Sequence, residues 1–144
     1  MKLAPLILIV LVGSFLLAAQ NAPDRLRSLV ERAQAAEQQN RLDEAVTLYE
    51  EILRIRPGWS SAELDLGLVD HSRADYTKEI QLLTKALQHN PGLHSALLFR
   101  GASYYSTGQF DAAVRDLEQY LRHDPANPEA LSYLANAQLA RNNP

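Results

Sequence analysis

Three prolines divide most of the chain into units of equal length, and this spacing restricts the possible folds more than any other feature of the sequence. Pro57, Pro91 and Pro125 stand 34 residues apart, and each follows an apolar run, as in "EEILRIRP", "TKALQHNP" and "EQYLRHDP". Proline cannot continue the hydrogen-bond ladder of a helix, so each proline is expected just beyond a helix end. A fixed period of this size is typical of repeat proteins, in which each unit packs mainly on its neighbours.

Other residue types keep the same register. They are large apolar residues (Leu42, Tyr76 and Phe110), possible helix N-caps (Asp43, Thr77 and Asp111), leucines near the ends of helices (Leu53, Leu87 and Leu121), turn positions (Asn40, Ala74 and Gly108) and helical glycines (Gly67 and Gly101). The pattern predicts a helix, a tight turn and a second helix in each unit. First helices are expected over residues 25–39, 60–72, 94–106 and 128–140, and second helices over 43–56, 77–90 and 111–123.

One helical hairpin cannot bury its apolar stripe alone, whereas stacked hairpins bury it jointly and need about three units for stability. The chain provides three predicted hairpins and a terminal helix. The terminal helix is expected to be either a cap with an imperfect outer face or the first half of a further unit, because Leu131, Leu134 and Leu139 lie on it with Tyr133.

The same residues resemble the tetratricopeptide repeat. In "ALLFRGASYYSTGQFDAAVRDLEQYLRHDPANP" and "RLDEAVTLYEEILRIRP", the matching positions are the small Gly101, Ala113 and Ala45, the large Tyr104, Phe110, Leu117 and Tyr49, and the prolines Pro125 and Pro57. This resemblance implies an all-α fold: a right-handed superhelical solenoid of antiparallel helix pairs. The implied domain covers residues 24–140, with repeats at about 26–59, 60–93 and 94–127 and the terminal helix at 128–140.

The N-terminus predicts export. After Lys2, residues 3–19 carry no charge, and small residues follow, as in a secretory signal peptide over residues 1–22 with cleavage after Ala19. The alternative is an uncleaved anchor, for which residues 3–19 would be the only contact with a membrane. Seventeen residues are at the short limit for a span, and Pro5 and Gly13 weaken that helix. The expected location is therefore the periplasm or the exterior, with anchoring to the inner membrane as the alternative.

Composition argues against several kinds of chemistry. The formal net charge is −3, and the 14 Lys and Arg residues form no basic cluster, so a nucleic-acid partner is not expected. There is no cysteine, and the four histidines form no metal-ligand spacing. No phosphate-binding glycine loop or nucleophile elbow is present. The sequence therefore predicts a protein that is not an enzyme, with no catalytic residue, no cofactor and no metal.

Three acids of the middle unit stand where its neighbours have packing residues. They are Glu63, Asp70 and Glu79. A buried unpaired carboxylate is costly, so each acid must reach solvent, be protonated or find a cation. We predict an inter-repeat polar cluster in which Arg100 pairs with Glu79 or Asp70. The functional alternative is a divalent metal ion held by these carboxylates.

By resemblance to the family, the first helices line a concave groove that binds a protein or peptide partner. Its predicted residues are Arg27, Val30, Gln34, Glu37, Ser61, Leu64, Leu68, His71, Ser95, Leu98, Ala102, Tyr105, Ser132, Asn136 and Leu139. Such a surface, apolar at its centre, suits an extended or helical peptide. Some relatives hold a partner's C-terminal carboxylate with Lys and Asn side chains. The corresponding places here hold Val30, Gln34, Asp65, Ser95 and Phe99, so this activity is not expected.

The sequence thus predicts an interaction scaffold or adaptor that binds a partner segment in the groove, within the assembly of a cell-envelope complex. One alternative is that the apolar groove residues belong to the packed core or contact a further segment. A second is a membrane-tethered structural subunit of a larger complex, and a remote third is a metal-dependent enzyme.

Overall fold

The computed structural model describes residues 23–142, and every regular element in that range is an α-helix. Residues 23–38 form α1; the helices that follow are α2 (Leu42–Ile55), α3 (Ser60–Ser72), α4 (Tyr76–His89), α5 (His94–Ser106), α6 (Phe110–Leu121) and α7 (Pro128–Asn142). Each predicted helix is present, and its ends lie within one turn of the expected positions. The predicted leader over residues 1–22 falls outside the described residues.

The helices stack in chain order. From α2 to α7 each helix packs against the next, and the first helices of neighbouring units also meet, α3 with α5 and α5 with α7. The second helices α2, α4 and α6 make no comparable contact with one another. The first helices therefore form the inner layer of an all-α helical solenoid, as predicted. None of the helices between residues 23 and 142 is long and apolar enough to cross a membrane.

The turn inside each helix pair has the same backbone conformation. Asn40, Ala74 and Gly108 have φ values of 55°, 57° and 76°, in the left-handed region. Glycine adopts this region without cost and asparagine at little cost, whereas a Cβ makes it unfavourable for alanine. The period seen in the sequence therefore continues in the backbone, and Ala74 is the strained member of the set.

Apolar burial is divided between the two ends of the stack. One cluster, from α1, α2 and α3, includes Leu29, Tyr49 and Ile52; the other, from α5, α6 and α7, includes Leu97 and Leu117. The small residues at the helix crossings permit this close packing. A Cβ added to Gly101, for example, would lie 2.8 Å from Cγ of Leu117.

The predicted N-caps are wrong. Asp43 and Asp111 lie inside the first turns of α2 and α6, and Thr77 lies inside the first turn of α4, because these helices begin one residue earlier than expected. The capping position of α4 is Asp75, whose side chain accepts a hydrogen bond from the Lys78 amide at 3.3 Å. Asp43 and Asp111 still stabilise their helices from the first turn, because a negative charge there interacts favourably with the helix dipole.

Candidate functional site

The inner layer formed by α1, α3, α5 and α7 presents most of the predicted groove residues at least partly to solvent. The exposed ones are Arg27, Gln34, Ser61, Ser95, Ser132, Asn136 and Leu139, and the half-buried ones are Val30, Glu37, Leu64, Leu68, His71 and Tyr105. Half-buried apolar side chains with a polar edge are what a peptide-binding surface offers, since they are fixed by the fold and still reachable.

Two residues of the predicted groove are placed differently. Leu98 and Ala102 are 7% and 3% exposed, and Leu98 belongs to the apolar cluster of α5, α6 and α7. Their role is packing, because neighbouring helices of the stack cover positions that helical periodicity alone leaves open. They therefore offer a partner almost no surface.

The three acids of the middle unit are buried, and each has its own partner. Oε2 of Glu63 lies 2.8 Å from Nδ1 of His89, within hydrogen-bond distance. Asp70 accepts a hydrogen bond from Arg73 at 3.3 Å. Burial raises the pKa of the Asp70 carboxyl, and the charges of Lys78 and Arg73 oppose that rise.

Glu79 is completely buried at the junction of α3, α4 and α5. Its Oε2 accepts a hydrogen bond from the Ser103 hydroxyl at 2.5 Å and lies 2.9 Å from Nδ1 of His71. Its other oxygen, Oε1, has no hydrogen-bond partner among the described residues. Burial raises the pKa of the Glu79 carboxyl, although the contacts with Ser103 and His71 act in the opposite direction.

The predicted pairing of Arg100 is wrong. Its guanidinium instead donates two hydrogen bonds to Asp116 on α6, at 2.6 and 2.9 Å, and a third to the Thr84 hydroxyl at 3.1 Å. A bidentate contact matches the fork of an arginine to a carboxylate better than a single contact with Glu79 would. A signal for this pairing is present in the sequence, because Asp116 and Arg100 are both polar where the preceding unit has leucine.

A further acidic site, which the sequence did not single out as a cluster, lies where α1, α2 and α3 meet. Asp65 of α3 is close enough to Glu37 of α1 for the Glu37 charge to act on it, and burial together with that charge raises the pKa of Asp65 to about 6. The Tyr49 hydroxyl adjoins both: burial, followed by the two carboxylates, raises its pKa. Oε1 of Glu37 is buried without a hydrogen-bond partner among the described residues. The available signal was Asp65 itself, an acid at a groove position.

Aromatic rings surround the part of the groove near Glu79. The His71 and Tyr76 rings meet edge to face with centroids 5.4 Å apart, and Tyr105 lies 5.9 Å from both Phe110 and Tyr133. Burial raises the pKa of Tyr133, and the charges of Glu129 and Glu79 are among the further causes. These rings make the groove wall stiff and amphipathic, since a tyrosine combines a large apolar face with a polar tip.

Between residues 23 and 142, no three His, Asp or Glu side chains are arranged to hold a metal ion. The acids of the middle unit are directed to separate partners, as described above.

Two family models, both described as "Tetratricopeptide repeat", match the chain over residues 14–58 and 104–144. The matched stretches leave out residues 59–103, where the buried acids Glu63, Asp70 and Glu79 replace packing residues. A search of curated proteins found no match to the sequence.

Solved structures share the fold at low sequence identity. The first repeat domain of Spaghetti (RPAP3) bound to the HSP90 peptide SRMEEVD is 20% identical, with a TM-score of 0.77; the match covers 81% of this chain and 93% of that one. The second such domain of human RPAP3, in complex with the HSP70 peptide SGPTIEEVD, is 16% identical, with a TM-score of 0.75 over 81% of this chain and 98% of that one. MamA from Desulfovibrio magneticus RS-1 is 20% identical, with a TM-score of 0.79 over 82% and 67%.

Proposed function

We propose that this chain, which two tetratricopeptide-repeat models match over residues 14–58 and 104–144, is an interaction scaffold that holds an extended or helical segment of a partner protein in its concave groove. One observation carries the proposal: Leu64 and Leu68 on α3 and Tyr105 on α5 are half-buried apolar side chains on the inner layer of first helices. These side chains are held in place by the stack but retain exposed surface. A partner that covered them would bury apolar area without first having to open the fold.

The solved structures support this mode of binding. Two of the similar proteins, the domains of Spaghetti and of human RPAP3, were solved with short peptides. A solenoid built on the same stack of helix pairs provides a comparable inner surface. Binding requires no chemistry, so the groove residues act by shape, apolar contact and hydrogen bonding alone.

A selection from a random-sequence peptide library displayed on phage tests the proposal. Peptides that bind the folded protein are synthesised, and their affinities are measured by fluorescence anisotropy. We expect Leu64→Ser and Leu68→Ser to weaken binding about tenfold each, which corresponds to losing roughly 1.4 kcal/mol of apolar contact. Leu98 is unsuitable for this test because it is buried, and its replacement would damage the core.

The matched controls lie on the outer layer. Lys85→Ser on α4 and Glu118→Gln on α6 change exposed residues and should leave the affinity unchanged. Circular dichroism of every variant verifies that it is folded. If no peptide is selected, or if the selected peptides bind all four variants as they bind the original protein, the groove is not the binding surface.

We further propose that this binding takes place outside the cytoplasm, in the assembly of a cell-envelope complex. The support is the apolar run over residues 3–19, followed by Ala22. N-terminal sequencing of the protein recovered from the periplasm of an expressing bacterium tests this. A mature N-terminus at Gln20 would favour a cleaved leader, retention of residues 1–19 in the membrane would favour the tethered subunit, and recovery from the cytoplasm would contradict both.

A further inference from the structure

The charge of the groove indicates what kind of segment it accepts, an inference that rests on the proposed function. The acidic site of Glu37 and Asp65 lies on the inner layer, at the junction of the first two units. Between residues 23 and 142, neither carboxylate has an ion pair with a Lys, Arg or His. The one guanidinium of the predicted groove, Arg27, lies 3.9 Å from Asp24.

Two like charges held close together, without an internal cation, are unfavourable in the unliganded fold. Most of the other buried acids contact a basic side chain: Glu63 contacts His89, Asp70 contacts Arg73, and Asp116 contacts Arg100. Oε1 of Glu37 is covered but unbonded. The site of Glu37 and Asp65 therefore lacks the positively charged donor that the fold supplies elsewhere.

A group of aromatic rings lies one unit further along the groove. Tyr133 is 5.9 Å from Tyr105, and Tyr76 meets His71 edge to face. Behind them, on α4, Glu79 is completely buried, with His71 and Ser103 as its partners. A cation is attracted to the face of a tyrosine ring.

We propose that the segment held in the groove is basic, and that a Lys or Arg side chain of the partner pairs with the carboxylates of Glu37 and Asp65. A further basic side chain of the same segment lies over the tyrosines near Glu79. The peptides bound by the similar structures, SRMEEVD and SGPTIEEVD, are acidic towards their ends. Their carboxylates would meet like charge here, so this groove disfavours them.

The peptides selected for groove binding provide the first test. We expect them to be enriched in Lys and Arg relative to the library, and we expect the synthetic peptide SRMEEVD to show no binding. Groove-binding peptides without a basic residue would overturn this inference while leaving the proposed function intact. A selection that yields no groove binder at all would instead contradict the proposed function.

Single substitutions then locate the anchor. Asp65→Asn and Glu37→Gln are each expected to weaken a basic groove peptide about tenfold, because each removes one charge of a partly buried ion pair. Glu118→Gln removes an exposed charge on α6 and is the matched control. A loss of binding caused by unfolding is distinguished by melting temperature, since Asp65→Asn relieves repulsion and should not lower it.

The pH dependence of binding gives an independent readout. The groups that face Asp65 are Glu37 from α1 and Tyr49 from α2. A cation binds the ionised carboxylate, so the affinity of a basic peptide should rise as the pH increases through about 6, the pKa of Asp65. The Asp65→Asn variant should show a smaller rise. A profile that is identical in the two proteins would show that Asp65 does not contact the basic side chain.

Discussion

Buried and half-buried acidic residues distinguish this chain from a stack of helices held together by apolar contacts alone. A carboxyl whose pKa is raised by folding binds its proton more tightly in the folded state. Its contribution to stability is present below the pKa of the unfolded chain and is lost as the pH rises through the folded value. For Asp65 this window extends from the ordinary pKa of an aspartate, 3.8, to its raised pKa of about 6. The acidic site is therefore tolerated at neutral pH at a cost in stability.

Asp65→Asn should consequently raise the melting temperature at pH 7.5 and raise it clearly less at pH 4.5, where the folded carboxyl is mostly protonated. The gain at neutral pH is expected to be about 1–2 kcal/mol, after allowing for partial exposure of the side chain. Thermal unfolding followed by circular dichroism at several pH values measures it. Because Glu79 and Asp70 remain in both proteins, the difference between the two profiles isolates Asp65. An equal shift at both pH values would contradict the assignment.

Arg100 of α5 and Asp116 of α6 form a bidentate ion pair, and removal of one partner leaves the other charge buried and unpaired. Arg100→Leu leaves the Asp116 carboxylate, 6% exposed, without its cation. We expect a loss of about 3–5 kcal/mol in the free energy of unfolding. Because well-packed apolar residues can replace a buried pair, the double variant Arg100→Leu/Asp116→Leu should be more stable than Arg100→Leu alone. Urea unfolding of the two single variants and the double variant completes the cycle, and additive losses would mean that the pair does not interact.

At the scale of helices and turns, the most direct prediction concerns the turn between α3 and α4. Ala74 has φ 57°, whereas Gly108 occupies the corresponding turn between α5 and α6. Ala74→Gly should stabilise the protein by about 1 kcal/mol, because it removes the Cβ strain of the left-handed conformation. Gly108→Ala should destabilise it by a similar amount, even though a Cβ there would meet no atom within 4 Å. Urea unfolding measures both, and a destabilised Ala74→Gly variant would contradict the backbone argument.

Helices and turns could be predicted from the sequence because their determinants are local and repeated. The prolines, the left-handed turn residues and the crossing glycines recur every 34 residues, so each unit supports the interpretation of the others. The exact helix starts could not be fixed in this way. The structure places Leu42, Tyr76 and Phe110 inside the helices, one residue before the expected caps.

Contacts between units could not be predicted in this way, since they depend on which side chains face each other across helices. The cost of burying an acid shows that Glu79 needs partners, but not that Ser103 and His71 supply them. The same limit explains why the sequence predicts a pairing of Arg100 with Glu79 or Asp70, whereas the structure pairs it with Asp116. It also explains the prediction of Leu98 as a groove residue, because helical periodicity identifies the face of a residue but not how far a neighbouring helix covers it.

For the whole molecule, the division of the apolar core predicts how the stack opens. The cluster of α1, α2 and α3 and the cluster of α5, α6 and α7 are separate. Buried Glu63 and Asp70 lie on α3 at the edge of the first cluster, and buried Glu79 lies on α4 between the two. In a linear stack, stability is approximately the sum of unit and nearest-neighbour contributions, so a local change need not be transmitted along the whole chain. The buried acids Glu63, Asp70 and Glu79 in the middle of the stack should further weaken the transmission of a local change from one half to the other, because their contacts depend on a few specific hydrogen bonds.

Native-state hydrogen exchange with paired core substitutions tests this division. Ile52→Ala creates a cavity in the first cluster and Leu117→Ala one in the second, since both side chains are fully buried. We expect Ile52→Ala to accelerate amide exchange mainly in α1 and α2, and Leu117→Ala to accelerate it mainly in α5 to α7. A basic peptide that contacts both the site of Glu37 and Asp65 and the tyrosines near Glu79 would reduce this difference, because it links the two halves. Equal acceleration in all seven helices by either substitution would instead show that the stack opens as one cooperative unit.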